Sequence, residues 1–286
     1  MKRYVYAQAQ YLIIIISAGI LLTGTIPLKT MAQGNLLITP VRVVFEGQKK
    51  MQELNLANSG KDTAKYLVSL MEIRMNTDGT FERISQPDSG QAFASNNLRF
   101  FPRTVVLAPG EAQLVKIQLT RSSQLTMGEY RSHIYLRAVP DEKPLGDKMP
   151  PKDSSAISVK LIAIFGISIP VIIRIGQSTT KVSLSDLSLD TDSLHGINML
   201  INRTGNFSSY GDVTVKYISP QGKVTKVGMV NGIAVYTPNI VRKFHVNLNT
   251  KPGFNYHKGK LLVEYSITTD GVVTPVLLAQ AELLLH

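Results

Sequence analysis

Acid–base and metal chemistry near neutral pH falls first to histidine, whose ring titrates there and ligates metals. The chain has five, His133, His195, His245, His257 and His286, and no two have metal-ligand spacing. Solvated or incidental rings are the expectation. The segment "GISIP" sets Gly166 and Ser168 as in a G-x-S-x-G nucleophile elbow, but Pro170 stands where the second glycine belongs and no strand-to-helix step surrounds it. Gly60-Lys61 in "NSGKDT" lacks the upstream glycine of a phosphate-binding loop. "DTDSLHG" from Asp190 begins like a calcium loop, yet His195 fills the position that needs glycine and Ile201 the one that needs a closing Glu. A hairpin turn is the plainer reading. With no cysteine there is no thiol nucleophile, thiolate metal site or disulfide framework. These residues hold no constellation for catalysis, and no enzyme activity, metal, cofactor or small-molecule substrate is expected.

Binding chemistry is another matter. In "SAISVKLIAIFGISIPVIIRIG", residues 155–176, every second residue from Ile157 to Ile175 is apolar, and the opposite face is mixed, with Lys160, Ser168, Pro170 and Arg174 on it. Side chains alternate faces along a strand, so this is one apolar face over about nineteen residues, where ordinary strands run roughly five or six. One sheet has no use for such length. Either the surplus face packs the protein's own core, or part of it fills a foreign sheet. Both readings stand for 157–165, while for 167–175 the protein's own core is the expected place.

The elements that position this strand are themselves strands. "NLLITPVRVVFEG", "MQELNLANSG", "AKYLVSLMEIRMNTDGTFERI", "TVVLAPGEAQLVKIQL" and "GEYRSHIYLRAVP" have period two and are divided by Gly, Pro, Asn and Asp. "NTDG" and "APGE" have the composition of turns. Residues 139–156, rich in Pro and charge, read as a surface loop directly before the long strand, and "RIGQSTTK" at 174–181 reads as a hinge. Beyond it "KVSLSDLSLD", "GDVTVKYISPQGKVTKVGMV", "KLLVEYSITTDG" and "VLLAQAELLLH" give a second set of strands. The expected fold class is all-β, two immunoglobulin-like β-sandwiches, with residues 33–176 and 177–286 as the two domains. The length, 286 residues, is enough for two cores.

Residues 1–32 read as a secretory signal peptide: Lys2 and Arg3 at the start, an apolar run from Tyr11 to Leu22, and Thr30-Met31-Ala32 as a cleavage site after Ala32. Removal takes three cations and no acid, lowering the formal charge from +11 to +8. The remaining basic residues are dispersed, not striped, so no nucleic acid is expected as partner, and no later segment predicts stable membrane insertion after cleavage.

The first domain resembles the periplasmic chaperones of the chaperone–usher pathway, which assemble pili in Gram-negative bacteria. "TPVRVVFEGQKKMQELNLANSG" is similar to their opening strands, "FFPRTVVLAPGEAQLVKIQL" to their P-x-x-x-x-L-x-P-G segment, "GEYRSHIYLRAVP" to the strand before their long loop, and "ISVKLIAIFGISIPVIIR" to their last first-domain strand. These stretches cover residues 36 to 175 in order. The second domain matches only in class and position. The resemblance implies two sandwiches in an L or boomerang arrangement, a periplasmic location, and as partners pilus (fimbrial) subunits and an outer-membrane usher. It also implies a mechanism. A subunit lacking one strand exposes core, and the chaperone supplies its own last strand, pairing backbone with backbone and inserting alternate side chains. The competing class is an exported structural or adhesive protein of immunoglobulin-like domains without pilin clients.

By alignment of motifs the donor positions fall on Val159, Leu161, Ala163 and Phe165. Arg42 falls on the family's first-strand arginine, which holds the subunit's C-terminal carboxylate. A guanidinium suits this because it offers carboxylate two parallel hydrogen bonds. An edge-strand charge that blocks aggregation is the other reading of Arg42. At one place the chain departs from the pattern. The family's second anchor is a lysine, and Pro170 occupies its position with neither cation nor N–H. Arg99, Arg103 and Arg174 are the candidates to replace it.

Overall fold

The computed structural model describes residues 35–140, 164–190, 195–249, 256–268 and 275–285. The expected signal peptide, the loop at 141–156 and the donor positions Val159, Leu161 and Ala163 lie outside the described residues.

Two facing sheets build the first sandwich. One holds β1 (Leu36–Thr39), β3 (Met51–Asn58), β7 (Leu98–Phe101) and β9 (Ala112–Leu119) in the order β1-β3-β9-β7. The other holds β2 (Val43–Phe45), β4 (Ala64–Met71), β8 (Thr104–Leu107), β10 (Gly128–Val139) and β11 (Gly166–Ile175) in the order β2-β11-β10-β4-β8. Period-two alternation turns Leu54, Leu56, Val115 and Ile117 inward from the first sheet and Ile134, Leu136, Val171 and Ile173 from the second. Asn58 continues the inward face of β3. It is buried, and its amide donates to the Asp62 carbonyl at 2.8 Å and the Leu107 carbonyl at 3.0 Å, while its Oδ1 accepts from Gly60 N–H at 2.9 Å. An interior amide is kept because each of its groups is bonded. In the "APGE" turn, Glu111 N–H bonds to the Ala108 carbonyl at 3.0 Å, with Gly110 at φ +75° in the left-handed region.

In this sandwich the chain changes sheets twice at a cis-proline peptide. β1 and β2 lie in different sheets, joined through the cis Thr39–Pro40 peptide, and β7 and β8 likewise through the cis Phe101–Pro102 peptide. Arg42 sits at the first corner, immediately before β2, so it follows a break in what the sequence reads as one strand.

The short β5 (Ile73–Met75) and β6 (Phe81–Arg83) pair as a hairpin around "NTDG", where Asn76 N–H bonds to the Thr80 carbonyl at 2.8 Å. β12 (Lys181–Leu189), β13 (Gly196–Thr204), β14 (Ser209–Ile218), β15 (Val224–Val235), β16 (Val241–Asn247), β17 (Gly259–Ile267) and β18 (Val276–Leu285) make the second sandwich. Its sheets run β12-β13-β16 and β15-β14-β17-β18. Ile197, Met199 and Ile201 meet Val213, Val215, Leu261 and Val263 in its core.

That core also contains Met75 from the β5–β6 hairpin and Ile172 from β11. One strand therefore serves two interiors: Ile169, Val171 and Ile173 face the first, and Ile172 the second. The hairpin is tied across as well, with Asn239 donating to the Met75 carbonyl at 2.6 Å and Lys243 N–H to the Thr77 carbonyl at 2.7 Å. The connection at 176–180 is held by Asn206, which accepts from Thr179 N–H at 2.9 Å and donates to the Gln177 carbonyl at 2.8 Å. The segment read as a hinge is thus bonded to the second sandwich at both ends of its loop.

Candidate functional site: an apolar strand edge beside a cationic cleft

Antiparallel pairing joins β11 to β10 over its whole length, from Gly166 opposite Arg137 to Ile175 opposite Gly128. On its other side β11 meets only β2, in parallel, at Val171 to Ile173. Residues 166–170 of β11 therefore have an outer edge with no partner strand among the described residues. Pairing to β10 reaches back one residue further, since Ala138 N–H bonds to the Phe165 carbonyl at 2.9 Å. Ile164 and Phe165, at the head of this edge, are 51% and 46% exposed, whereas Ile167 packs partly on the core and Ile169 is buried. Natural edges are usually charged or covered; the described part of this one carries two large, exposed apolar side chains. A Cβ at Gly166 would collide with the Tyr135 ring, so glycine lets that ring lie across the strand where the edge begins.

Beside Pro170 of the same strand opens a cleft of about 500 Å³, lined from the first sandwich by Val41, Arg42, Phe81, His133 and Pro170, and from the second by Tyr210, Tyr236 and Arg242 among others. Arg42 lies with its Cζ 4.5 Å from the Tyr210 ring centroid and 6.0 Å from that of Tyr236. Only its Nη2 has a partner, Ser208 Oγ at 3.5 Å; Nε and Nη1 are buried without one. Burial, followed by the neighbouring Arg174 charge, pulls its pKa below the ordinary guanidinium value.

Sequence reasoning placed three arginines as possible companions, and the structure assigns them elsewhere. Arg174 donates through Nε to Glu129 at 3.0 Å, through Nη1 to Glu46 at 2.6 Å and through Nη2 to the Ser208 carbonyl at 2.9 Å. Its fork is filled by a bridge between sandwiches. Arg103 rests over the Phe100 ring at 5.3 Å and Arg99 is on β7 opposite Gln118, and neither lines the cleft. Besides Arg42, the cation on the cleft wall is Arg242, while Arg131 stacks on the lining Tyr236 at 4.3 Å with its Nε and Nη1 buried and unpartnered.

His133 corrects the expectation of incidental, solvated rings. It is buried in the cleft wall, edge-on to Phe81 at 6.2 Å and to Tyr236 at 6.5 Å. Burial, with the Arg131 charge second, pushes its pKa down to about 3. The ring therefore stays neutral in the folded protein at any physiological pH. The unfolded chain protonates it below about 6.5, so the unfolded state binds more protons between about pH 6.5 and 3, and stability falls as pH drops through that window. The slope expected from this one group is about 1.4 kcal/mol per pH unit. Urea unfolding at pH 7 and pH 5.5 should show that loss in the parent, and His133→Gln should remove most of the difference.

The sequence signal for this wall was present in β10 and easily misread. Glu129, Arg131 and His133 alternate along one face of that strand, which is the pattern of a solvated face. The second sandwich covers it.

Solved structures of similar chains include the YadV chaperone, with 14% identity and a TM-score of 0.44 over 87% of this chain and 100% of that one. They also include the CsuC–CsuE chaperone–tip adhesion subunit complex of the archaic chaperone–usher Csu pili of Acinetobacter baumannii, with 14% identity and a TM-score of 0.39 over 73% of this chain and 89% of that one. A third is the Salmonella enterica SafA pilin in complex with the SafB chaperone, with 14% identity and a TM-score of 0.39 over 87% and 96%. These scores lie below 0.5, and the fold is established by the sheets and cores themselves. No protein-family model and no curated protein matches the chain. Among the described residues no helix is long and apolar enough to cross a membrane.

Proposed function

We propose that this protein is an exported, periplasmic chaperone of pilus subunits. It holds a subunit by lending it the strand that leads into β11 and delivers it to an outer-membrane usher. The observation that carries the reading is the edge at Ile164 to Ile169, unpaired among the described residues and apolar and exposed at Ile164 and Phe165, on a strand whose other half is fixed in two cores. Anchoring of 171–173 fixes the register of the strand from Gly166 onward, so that the free edge at 166–169 is presented already extended. Pre-organisation of this kind lowers the entropy lost on pairing. Val159, Leu161, Ala163 and Phe165 are the donor side chains of this proposal, and Arg42 receives the subunit's terminal carboxylate. The domain division at 176/177 and cleavage after Ala32 belong to the same proposal, which assigns no catalytic role to any residue.

Incubated with a pilus subunit of the same organism, the mature chain should form a soluble one-to-one complex. Backbone amides between 164 and 169 should then exchange about tenfold more slowly or better, because an added strand closes their hydrogen bonds. A complex that leaves these amides unprotected would place the subunit elsewhere and overturn the reading.

A further inference from the structure

Gly166 is the first residue of β11, and its outer edge is unpaired among the described residues. Its φ is not in the left-handed region, so no turn calls for glycine here. Space does. A Cβ at this position would run into the hydroxyl and the adjoining ring carbons of Tyr135, so the end of the ring lies on bare backbone. Strand register explains how the ring comes to lie there. Tyr135 stands between Ser168 on β11 and Ser69 on β4, both small, so nothing in its own row props the ring upright. Arg137, the residue of β10 opposite Gly166, is exposed and leaves the glycine uncovered on that side.

A strand glycine ordinarily loosens a sheet, because it has more freedom to lose than any other residue and no side chain to pack. At this position the loosening would matter. From Val171 to Ile173 the strand is gripped on both sides, by β10 and β2, whereas from 166 to 170 β10 alone holds it. Next to Gly166, Ala138 N–H bonds to the Phe165 carbonyl at 2.9 Å, the outermost link between β10 and this strand among the described residues. Gly166 is therefore a joint between the anchored half of the strand and its exposed apolar head at Ile164 and Phe165. An aromatic ring laid over a strand glycine supplies the packing that the missing side chain would give.

We propose that Tyr135 is a positioning residue for strand donation: its ring, laid over Gly166, stiffens this joint, so that the edge at 164–169 stays extended along β10 until a subunit pairs with it. The inference rests on the reading of that edge as the donated one. It adds the device that keeps the edge presented.

Amide exchange in the free mature chain tests the joint without any subunit. Tyr135→Ala should speed exchange of the Ala138 amide about fivefold, while the amides of Val171 to Ile173 keep the parent's rates. Tyr135→Phe retains the ring and should match the parent. Adding Gly166→Ala to Tyr135→Ala removes the glycine's freedom in the space the ring has vacated, so the double variant should return to within about twofold of the parent. Capture of a pilus subunit should follow the same order, about fivefold weaker for Tyr135→Ala and parent-like for Tyr135→Phe and the double variant. An unchanged Ala138 rate in Tyr135→Ala would overturn the stiffening. A double variant that exchanges as fast as the single one would make the ring a general support of the sheet and dispose of the joint. Exchange that responds while Tyr135→Ala captures as well as the parent would remove Tyr135 from strand donation and leave the chaperone reading standing. A parent that captures no subunit would sink that reading itself, whatever the exchange rates.

Discussion

Glu129→Ala should lower the stability of the free protein by about 3–5 kcal/mol, seen as a fall of roughly 10 °C in Tm for a chain of this size. The side chain is fully shielded, and it accepts from four donors on three partners: Arg174 Nε at 3.0 Å, Ser208 N–H at 2.9 Å, Ser208 Oγ at 2.8 Å and Thr237 Oγ1 at 3.2 Å. Arg174 comes from the first sandwich, Ser208 and Thr237 from the second. Truncation therefore leaves Arg174 Nε and the buried Ser208 amide without acceptors at the contact between the two cores, which is the costly direction of change. Glu129→Gln keeps the shape and an acceptor oxygen, so it should lose clearly less. A melt for Glu129→Ala within 1 °C of the parent would mean that this network contributes nothing net to the fold.

Phe165→Glu should weaken subunit capture by about two to four orders of magnitude and leave folding nearly unchanged. Two terms add on the bound side. Burying a phenylalanine side chain contributes roughly 1.5–3 kcal/mol, and a carboxylate forced into an apolar groove without a partner costs about as much again. Together about 3–6 kcal/mol corresponds to a factor of roughly 10²–10⁴ in Kd. On the free side the ring is 46% exposed at the start of an edge, where its removal leaves no sealed cavity. Surface changes of this kind usually stay within about 0.5 kcal/mol.

What could be read from the sequence follows the range of each physical signal. Period-two patterning is local, and it gave the strands, the "APGE" and "NTDG" turns, and the own-core role of Ile169, Val171 and Ile173. It could not give Ile172, which lies on the face that reads as mixed and is buried by a sandwich whose strands begin beyond residue 180. The same blindness hid Arg131 and His133. A polar alternation looks solvated until a distant part of the chain packs on it. Arg42 was singled out through a family pattern, which could not show that it follows the corner at Pro40 with its guanidinium over Tyr210 and two of its nitrogens buried and unmet. Arg242 carried no signal at all. It stands in "NIVRKFHVNLN" as one exposed-looking cation among others, and only the approach of the β5–β6 hairpin and the cleft wall sets it apart.

The central claim, that the strand into β11 is lent to another protein, is tested most directly by Leu161→Glu combined with Phe165→Glu, with a thermal melt of the free chain set beside capture of a pilus subunit. If the strand is a donor, the melt stays within a degree or two of the parent and no complex forms. If the apolar face instead packs this protein's own core, the same two changes bury charge in the first sandwich, and the free chain loses several kcal/mol whether or not a subunit is present. A large fall in Tm, or an intact melt with undiminished capture, contradicts the account.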